Sequence, residues 1–386
     1  MRILIWTTEV SIGGGTRLLA NLLPAIARQE DIELVRLIIS SKTHFKEQND
    51  FTSYSNIEIE YFEGEINSKG TNKYYDDCHV IYYFWPHLTQ FIDVKRPTIC
   101  TFHDSIILDY VPPFSNGKYI RAYWEQSKKW LEKCTMVVVS SQFVKSRLIK
   151  NFGNHLASAV VIPHAILPEN YSPVQSINTE LAARLPKKYF VYPANTSPHK
   201  NHYNLLLAYS KFKYRNEYPL VLFGHLTETL RNKPPFWPDT PYLSTLVSLI
   251  NRLELIIDKD IFPLGFINDI DVSPTIKNSQ ALVMPSLSEG GGSYPVEEAL
   301  RLGVPVLCSD IPVMREHIGG RRAKVAWFNP ESIDSITNAL ENMVLNYDEY
   351  KKVSIQSMND PTESWDSIAR KYIHVMRQSY QKFYNQ

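Results

Sequence analysis

Short apolar segments alternate with amphipathic segments along the first part of the chain. Six apolar segments are rich in β-branched and aromatic residues and bounded by turn-forming residues, which predicts buried strands. They are RILIW (2–6), VRLIIS (35–40), HVIYYF (79–84), TICTFH (98–103), MVVVSS (136–141) and AVVIP (159–163). Helical spacing of apolar residues predicts helices over 16–29, 118–134 and 141–152. This order of strands and helices predicts a doubly wound parallel sheet.

A polar, proline-bearing stretch at residues 167–188 interrupts the pattern and predicts a linker or a domain edge. A second set of strand-like segments follows, at 189–194, 219–224, 261–266, 281–286 and 305–309. The 386 residues suffice for two domains, each with its own core. We therefore predict an α/β fold with domains at residues 1–180 and 181–386. Because ligands bind at the carboxyl ends of such strands, the site is expected between the domains.

Composition narrows the class of protein. Hydrophobic residues make up 44% of the chain and charged residues 21%, as in folded globular proteins. The net charge of +1 gives no general attraction to nucleic acid. The four cysteines have no metal-ligand spacing and are interpreted as core thiols, and no metal is expected. With no apolar segment of signal-peptide or membrane-span length, a cytoplasmic location is the expectation.

Two glycine runs occupy equivalent places in the two predicted sheets. Gly14 and Gly15 follow the first strand and precede a helix, and Gly291 and Gly292 do the same in the second set. Free backbone N–H groups near a helix N-terminus bind anions, so a diphosphate is the expected ligand. The alternative is that these glycines only allow tight turns or close helix packing.

Two glutamates flank the second glycine run. Glu289 lies at the exit of the strand and Glu297 in the following helix, with seven residues between them. Carboxylates beside a nucleotide can accept the hydroxyls of a ribose or of a second polyhydroxylated group. The segment PSLSEGGGSYPVEEALRLGVPVLCSD resembles the E-x7-E signature of retaining, nucleotide-sugar-dependent glycosyltransferases of family 4, which have the GT-B architecture of two Rossmann-like domains.

The resemblance implies a role for each residue that matches the family pattern, and it extends over nearly the whole chain. Glu289 would contact the transferred sugar and Glu297 the ribose. His103, within TFHDS, would lie close to the sugar, and Lys200, within YPANTSPHKNH, would contact the diphosphate. The remaining donor-binding residues, from the two glycine runs and the loop IFPLGFIND, would be Gly14, Gly15, Gly265, Phe266, Gly291, Gly292, Ser293 and Tyr294. The last helix, ESWDSIARKYIHVMRQSYQKFY, would pack back on the N-terminal domain.

The chain departs from the family pattern at two places. Gly291 is small where the family has a bulky residue, which leaves the sugar undetermined. An arginine that accompanies the lysine at the diphosphate is not evident in this segment; either His199 or Arg17 would replace it, or backbone amides alone would suffice. By resemblance, YPANTSPHKNH favours transfer of mannose from GDP-mannose, with a UDP-hexose second. No further cofactor or metal is expected. The acceptor would be a saccharide, free or lipid-linked, in polysaccharide synthesis.

Alternative interpretations remain open at this stage. A nucleotide-sugar epimerase or a non-catalytic nucleotide-sugar-binding module would share the architecture. The basic, aromatic helix at 118–134 either packs its apolar face on the first sheet or lies on a membrane surface, which would make the protein peripheral to the inner face of the membrane. The aromatic residues at 82–85 and 110–114 either stack on acceptor sugars or fill the core.

Overall fold

The computed structural model describes residues 1–8, 14–110, 117–164, 167 and 176–385. Contacts between residues divide the chain into two units. The first unit comprises Met1–Leu108, Ser115–Glu169 and Thr362–Gln386, and the second comprises Asp109–Phe114 and Asn170–Pro361. The predicted domain limit at residues 180 and 181 therefore falls within the second unit.

The first unit contains a parallel sheet of seven strands in the order β3-β2-β1-β4-β5-β6-β7. The strands are β1 (Arg2–Thr7), β2 (Leu34–Ile39), β3 (Ile57–Tyr61), β4 (Val80–Tyr83), β5 (Thr98–Phe102), β6 (Met136–Val139) and β7 (Val160–Val161). The helices between them are α1 (Gly14–Ala27), α2 (Phe45–Gln48), α3 (Asn72–Tyr75), α4 (Ile106–Asp109), α5 (Gly117–Lys133) and α6 (Gln142–Phe152).

Both faces of this sheet are buried, as the continuous apolar strands require. Successive side chains of β1 point to opposite faces. Ile3 and Ile5 therefore join a core formed with α1 and the last helix of the chain, whereas Leu4 and Trp6 join a second core that includes Trp130 of α5. The sheet is thus covered on both sides by apolar side chains.

The second unit contains six parallel strands in the order β10-β9-β8-β11-β12-β13. They are β8 (Phe190–Pro193), β9 (Leu220–Phe223), β10 (Ile261–Pro263), β11 (Ala281–Met284), β12 (Val306–Ser309) and β13 (Val325–Phe328). The helices are α7 (Thr179–Arg184), α8 (His202–Lys211), α9 (Pro241–Arg252), α10 (Asp269–Lys277), α11 (Tyr294–Arg301), α12 (Pro312–Ile318), α13 (Ile333–Leu345) and α14 (Tyr347–Ser357).

The last helix, α15 (Trp365–Tyr384), belongs to the first unit. Trp365, Tyr372 and Met376 are buried in the core that contains Ile3 and Ile5. The Ser379 hydroxyl donates to the Thr98 carbonyl oxygen at 3.0 Å. The final helix is therefore an integral part of the first unit, packed on one face of its sheet.

Two strands were not predicted from the sequence. They are β3 and β13, and both lie at a sheet edge. The sequence of β3, IEIEY, alternates apolar and acidic residues, and β13 alternates half-buried and buried positions. Both strands therefore lack the continuous apolar run by which the other strands were recognised.

Aromatic residues predicted as sugar-stacking candidates lie in the core. Tyr82, Tyr83 and Phe84 have no exposed surface, so the stacking interpretation is wrong for them. In α5, Tyr123, Trp130 and Leu131 are buried as expected, but Trp124 is 39% exposed and packs on the Phe152 ring. Of the other predicted stretch, at 110–114, Tyr110 is half-buried and residues 111–114 lie outside the described residues. Of the helices in the described part of the chain, none has the length and apolar composition needed to cross a bilayer.

Candidate active site

Lys200 and Glu289 meet at the point where the strand order of the second sheet reverses. Lys200 follows β8 and Glu289 follows β11, and these strands are neighbours although five helices and strands separate them along the sequence. Loops leaving such neighbours diverge to opposite faces and leave a crevice for ligands. Lys200 Nζ donates to Glu289 Oε1 at 2.6 Å. Both side chains are largely buried, at 17% and 6% exposed, so the pair lies in a region where charge is weakly screened.

Four hydrogen bonds to backbone carbonyl oxygens hold the Lys200 loop against its neighbours. The Tyr192 hydroxyl donates to the Lys200 carbonyl oxygen at 2.6 Å. Asn201, in the left-handed conformation that asparagine tolerates, donates its amide to the carbonyl oxygens of Pro285 and Pro330 at 2.9 and 2.8 Å. The Leu287 N–H donates to the His199 carbonyl oxygen at 2.8 Å. The loops that carry Lys200 and Glu289 are therefore fixed to each other.

The glycine run leads directly into the N-terminus of α11. Ser293 precedes the helix, and its carbonyl oxygen accepts the helical bond from the Glu297 N–H at 3.0 Å. The amides before that bond have no partner within the helix, and they point along its dipole. Gly291, Gly292, Ser293 and Tyr294 lie at this helix N-terminus, and their role as donors to an anion stays a prediction.

Gly292 is fixed by a close contact with a histidine from α12. Its φ is +136°, and a Cβ there would lie 2.5 Å from His317 Nδ1. The absence of a side chain therefore lets the glycine loop lie directly on the buried imidazole. His317 was not anticipated from the sequence.

Glu297 is almost completely buried, at 2% exposed, and is paired with Arg321. Arg321 Nη2 donates to Glu297 Oε2 at 2.6 Å. His317 Nε2 lies 3.5 Å from the same oxygen and, among the described residues, has no hydrogen-bond partner. Arg321 thus provides an ion-pair partner for a carboxylate that is buried, and burying such a group without a partner is costly.

Burial governs the protonation of the histidines in this region. It lowers the pKa of His317 more than the nearby carboxylates of Glu297 and Glu289 raise it. Burial, assisted by Lys200, also lowers the pKa of His199 to about 4. Both imidazoles are therefore neutral at pH 7 in the ligand-free protein, and the predicted replacement of the diphosphate arginine by His199 stays a prediction.

We expect Arg321→Gln to weaken both the fold and nucleotide binding of the second unit. Breaking a buried pair leaves Glu297 uncompensated, at a cost of about 3 kcal/mol. Thermal unfolding should show a lower Tm, and titration calorimetry a weaker affinity for the nucleoside diphosphate. Arg322→Gln is the matched control, because Arg322 pairs with Asp360 at 2.6 Å and its own side chain is 67% exposed. Equal nucleotide affinity in wild type and Arg321→Gln would contradict the prediction that Glu297 belongs to the nucleotide-binding site.

Gly265 and Phe266 follow β10 and differ in how accessible they are to a ligand. The Gly265 N–H already donates to Thr227 Oγ1 at 3.0 Å, and its carbonyl oxygen accepts from the Gly224 N–H at 2.9 Å. Phe266 is 63% exposed, with its ring 5.6 Å from that of His225. The predicted base-binding role stays a prediction, with Phe266 the accessible member of the two.

The remaining predicted residues lie in the first unit. Gly14 and Gly15 form the first turn of α1, directly after the glycine-run residues 11–13, which lie outside the described residues. His103 follows β5 and is buried. Its Nε2–H donates to the Phe84 carbonyl oxygen at 2.8 Å, and its Nδ1 lies 3.2 Å from His164 Nε2.

The structure therefore brings together Lys200 with Glu289, and Gly292 with Glu297 through His317. Arg321, His317, Asn201 and His164 were missed. Of these, only Asn201 had a local signal, since it adjoins Lys200 and is a residue type that favours a left-handed turn.

Comparison with known proteins identifies the class. The family described as "Glycosyl transferases group 1" matches residues 174–359, and "Glycosyltransferase Family 4" matches residues 75–170. The two matches cover more than half of the chain, and the chain belongs to the glycosyltransferases of family 4. The family predicted from the E-x7-E segment is thus confirmed, and with it the class of transferases.

Similar curated proteins are bacterial mannosyltransferases. The chain is 27% identical over 277 residues to "O-antigen chain mannosyltransferase B" of Escherichia coli, covering 70% of this chain and 63% of that protein. It is 24% identical over 309 residues to "Serotype-specific mannosyltransferase WbdA" of Escherichia coli, covering 76% of this chain and 36% of that protein. The chain thus matches less than two thirds of the length of either relative.

Solved structures support the fold class. HepE of Anabaena in complex with UDP and glucose superposes with a TM-score of 0.73 at 15% identity, covering 98% of this chain and 100% of that one. WaaG, a glycosyltransferase involved in lipopolysaccharide biosynthesis, superposes with a TM-score of 0.64 at 12% identity, covering 97% and 99%. The predicted GT-B fold class is confirmed, whereas the cleft between its domains stays a prediction.

Proposed function

We propose that the chain transfers a hexose, with mannose as first choice, from a nucleoside-diphosphate sugar to a saccharide acceptor. The observation that carries the proposal is the buried Lys200–Glu289 pair at the reversal point of the second sheet. The carboxylate holds the lysine ammonium group in a fixed position, where it can bind an anionic ligand. Family membership makes a nucleotide sugar the natural candidate.

The charge that develops on the leaving diphosphate defines what the site has to do. The sugar departs through an oxocarbenium-like transition state, so negative charge accumulates on the phosphate oxygens. Lys200 Nζ and the amides before α11 are positive groups already in place, and such preorganised groups stabilise developing charge efficiently. In the proposed mechanism Lys200 exchanges Glu289 for the diphosphate.

This exchange frees Glu289 for the transferred sugar. Its carboxylate then accepts sugar hydroxyls, while Glu297, held by Arg321, accepts the ribose hydroxyls. In the proposed retaining reaction the acceptor hydroxyl attacks on the face that the phosphate leaves, and a phosphate oxygen takes its proton. Neither Glu289 nor His103 then acts as a covalent nucleophile.

The proposed donor is GDP-mannose, with a UDP-hexose as the second choice. The mannosyltransferase relatives support mannose, and Phe266 offers an exposed ring for the base. The proposed acceptor is a saccharide, free or lipid-linked, of a bacterial surface polysaccharide. Peripheral contact with the inner face of the membrane is part of this proposal for a lipid-linked acceptor.

Thermal-shift measurements with GDP, UDP, ADP and TDP test the donor. A nucleotide at 100 times its dissociation constant stabilises the protein by about 2.7 kcal/mol. We expect GDP to give the largest shift, and incubation with GDP-mannose and a mannosylated acceptor to give an α-linked product detectable by NMR of the anomeric proton. Stabilisation by UDP alone would overturn GDP-mannose, and stabilisation by none of the four would contradict the proposed function.

A further inference from the structure

The imidazoles of His103 and His164 form a pair within the first unit. His103 follows β5 and His164 follows β7, and both strands flank β6. The carboxyl ends of parallel strands lie at one edge of the sheet, which brings the two side chains together. His103 Nδ1 and His164 Nε2 are 3.2 Å apart, a hydrogen-bond distance.

The donor and the acceptor in this pair follow from the other partner of His103. The Phe84 oxygen at 2.8 Å is a carbonyl and can only accept, so His103 Nε2 carries a proton. Burial, His164 and His87 lower the pKa of His103 well below its usual value, so the ring is neutral. A neutral ring protonated at Nε2 has a lone pair at Nδ1. His164 Nε2–H must therefore be the donor.

The surroundings leave His103 one orientation. The rings of Phe84 and Trp85 lie with centroids 4.5 Å from its own. The Ser140 hydroxyl donates to the His103 carbonyl oxygen at 2.7 Å. His164 is half-buried whereas His103 is buried, so of the two imidazoles only that of His164 is partly exposed to solvent.

We propose that His164 is a positioning residue of the sugar-transfer site, which fixes the orientation and hydrogen-bonding state of His103 by donating to its Nδ1. This inference rests on the proposed function, because His103 is the first-unit residue assigned to the transferred sugar. Both ring nitrogens of His103 are then engaged, Nε2–H by the Phe84 carbonyl oxygen and Nδ1 by His164, so the imidazole is held in place and serves the sugar site by its position and not by a hydrogen bond of its own. His164 thus acts on transfer through His103 and not on nucleotide binding.

The test uses full-length variants that differ in one hydrogen bond. His164→Gln retains an amide donor near the position of Nε2, whereas His164→Leu has similar bulk and no donor, and His164→Asn is polar but too short. Proton–nitrogen spectra of protein labelled with 15N in its imidazoles report the state of His103, assigned with His103→Gln. Exposed His155, replaced by Leu, is the control.

In wild type and His164→Gln we expect a protonated Nε2 and a hydrogen-bonded Nδ1 in His103. In His164→Leu and His164→Asn the Nδ1 resonance should move to that of a free imine nitrogen. Loss of one hydrogen bond is worth up to about tenfold in rate, so kcat for transfer should fall by about that factor. The KM for the donor and the thermal shift with nucleotide should stay within about twofold of wild type, and His164→Gln should retain most of the kcat.

The outcomes separate this inference from the proposed function. An unchanged His103 Nδ1 resonance in His164→Leu and His164→Asn would refute the hydrogen bond. A shifted resonance with unchanged kcat would refute the positioning role. Wild-type protein that transfers no sugar, yet shows the expected resonances, would refute the proposed function and the positioning role while establishing the imidazole pair.

Discussion

Replacing Lys200 by Ala, or Glu289 by Gln, is expected to lower the rate of sugar transfer by at least about a hundredfold, the typical effect of removing one group that stabilises developing negative charge. Lys200→Ala removes the cation that meets the diphosphate. Glu289→Gln keeps the shape of the side chain but removes the charge that holds Lys200 at 2.6 Å and then accepts the sugar hydroxyls. Initial rates with donor and acceptor at saturation measure both effects.

A matched pair elsewhere in the same unit separates this effect from a general loss of charge. Lys213 and Glu341 form a lysine–glutamate pair at 2.9 Å in which the lysine is 55% exposed. Lys213→Ala and Glu341→Gln should leave transfer within about twofold, because exposed pairs contribute little. Circular dichroism at the assay temperature checks that all four variants fold. Wild-type rates in folded Lys200→Ala or Glu289→Gln would rule out the assignment.

Most of the fold follows from local patterns in the sequence. The inner strands β1, β4, β8 and β11 are continuous apolar runs because both of their faces are covered, and such runs are visible without any tertiary information. The edge strands β3 and β13 were missed because half of each faces away from the core. The sheet order, which places β8 beside β11, follows from a rule about crossover connections and not from any one segment.

Some residues of the candidate site could likewise be predicted from the sequence, and others could not. Glu289, Glu297 and Lys200 belong to segments whose spacing or resemblance marks them in the sequence. His317 and Arg321 lie on a different segment, and only the packing of α12 on the glycine loop brings them to Glu297. His164 likewise meets His103 only because β5 and β7 end at one edge. Pairings of this kind depend on side-chain contacts between distant segments, which no local pattern encodes.

Gly292→Ala is expected to weaken binding of the nucleoside diphosphate by about tenfold or more. The φ of +136° is strained for any residue with a Cβ, at about 1–3 kcal/mol. The added methyl would also lie 2.5, 2.7 and 2.9 Å from three atoms of the His317 ring, which is buried. The loop must therefore move away from α12 and carry its amides away from the phosphate position. Calorimetric titration with the nucleotide measures the loss.

Two companion variants divide this effect into its causes. Gly70→Ala, in the first unit, adds a methyl at φ +88° with nothing within 4 Å, so it reports backbone strain without a clash and should leave nucleotide affinity unchanged. Gly292→Ala combined with His317→Ala removes the clash but keeps the strain, and it should recover part of the affinity that Gly292→Ala loses. If Gly292→Ala bound the nucleotide as wild type does, the glycine loop would not be the diphosphate site. If the double variant recovered nothing, the clash with His317 would not be what weakens nucleotide binding in Gly292→Ala.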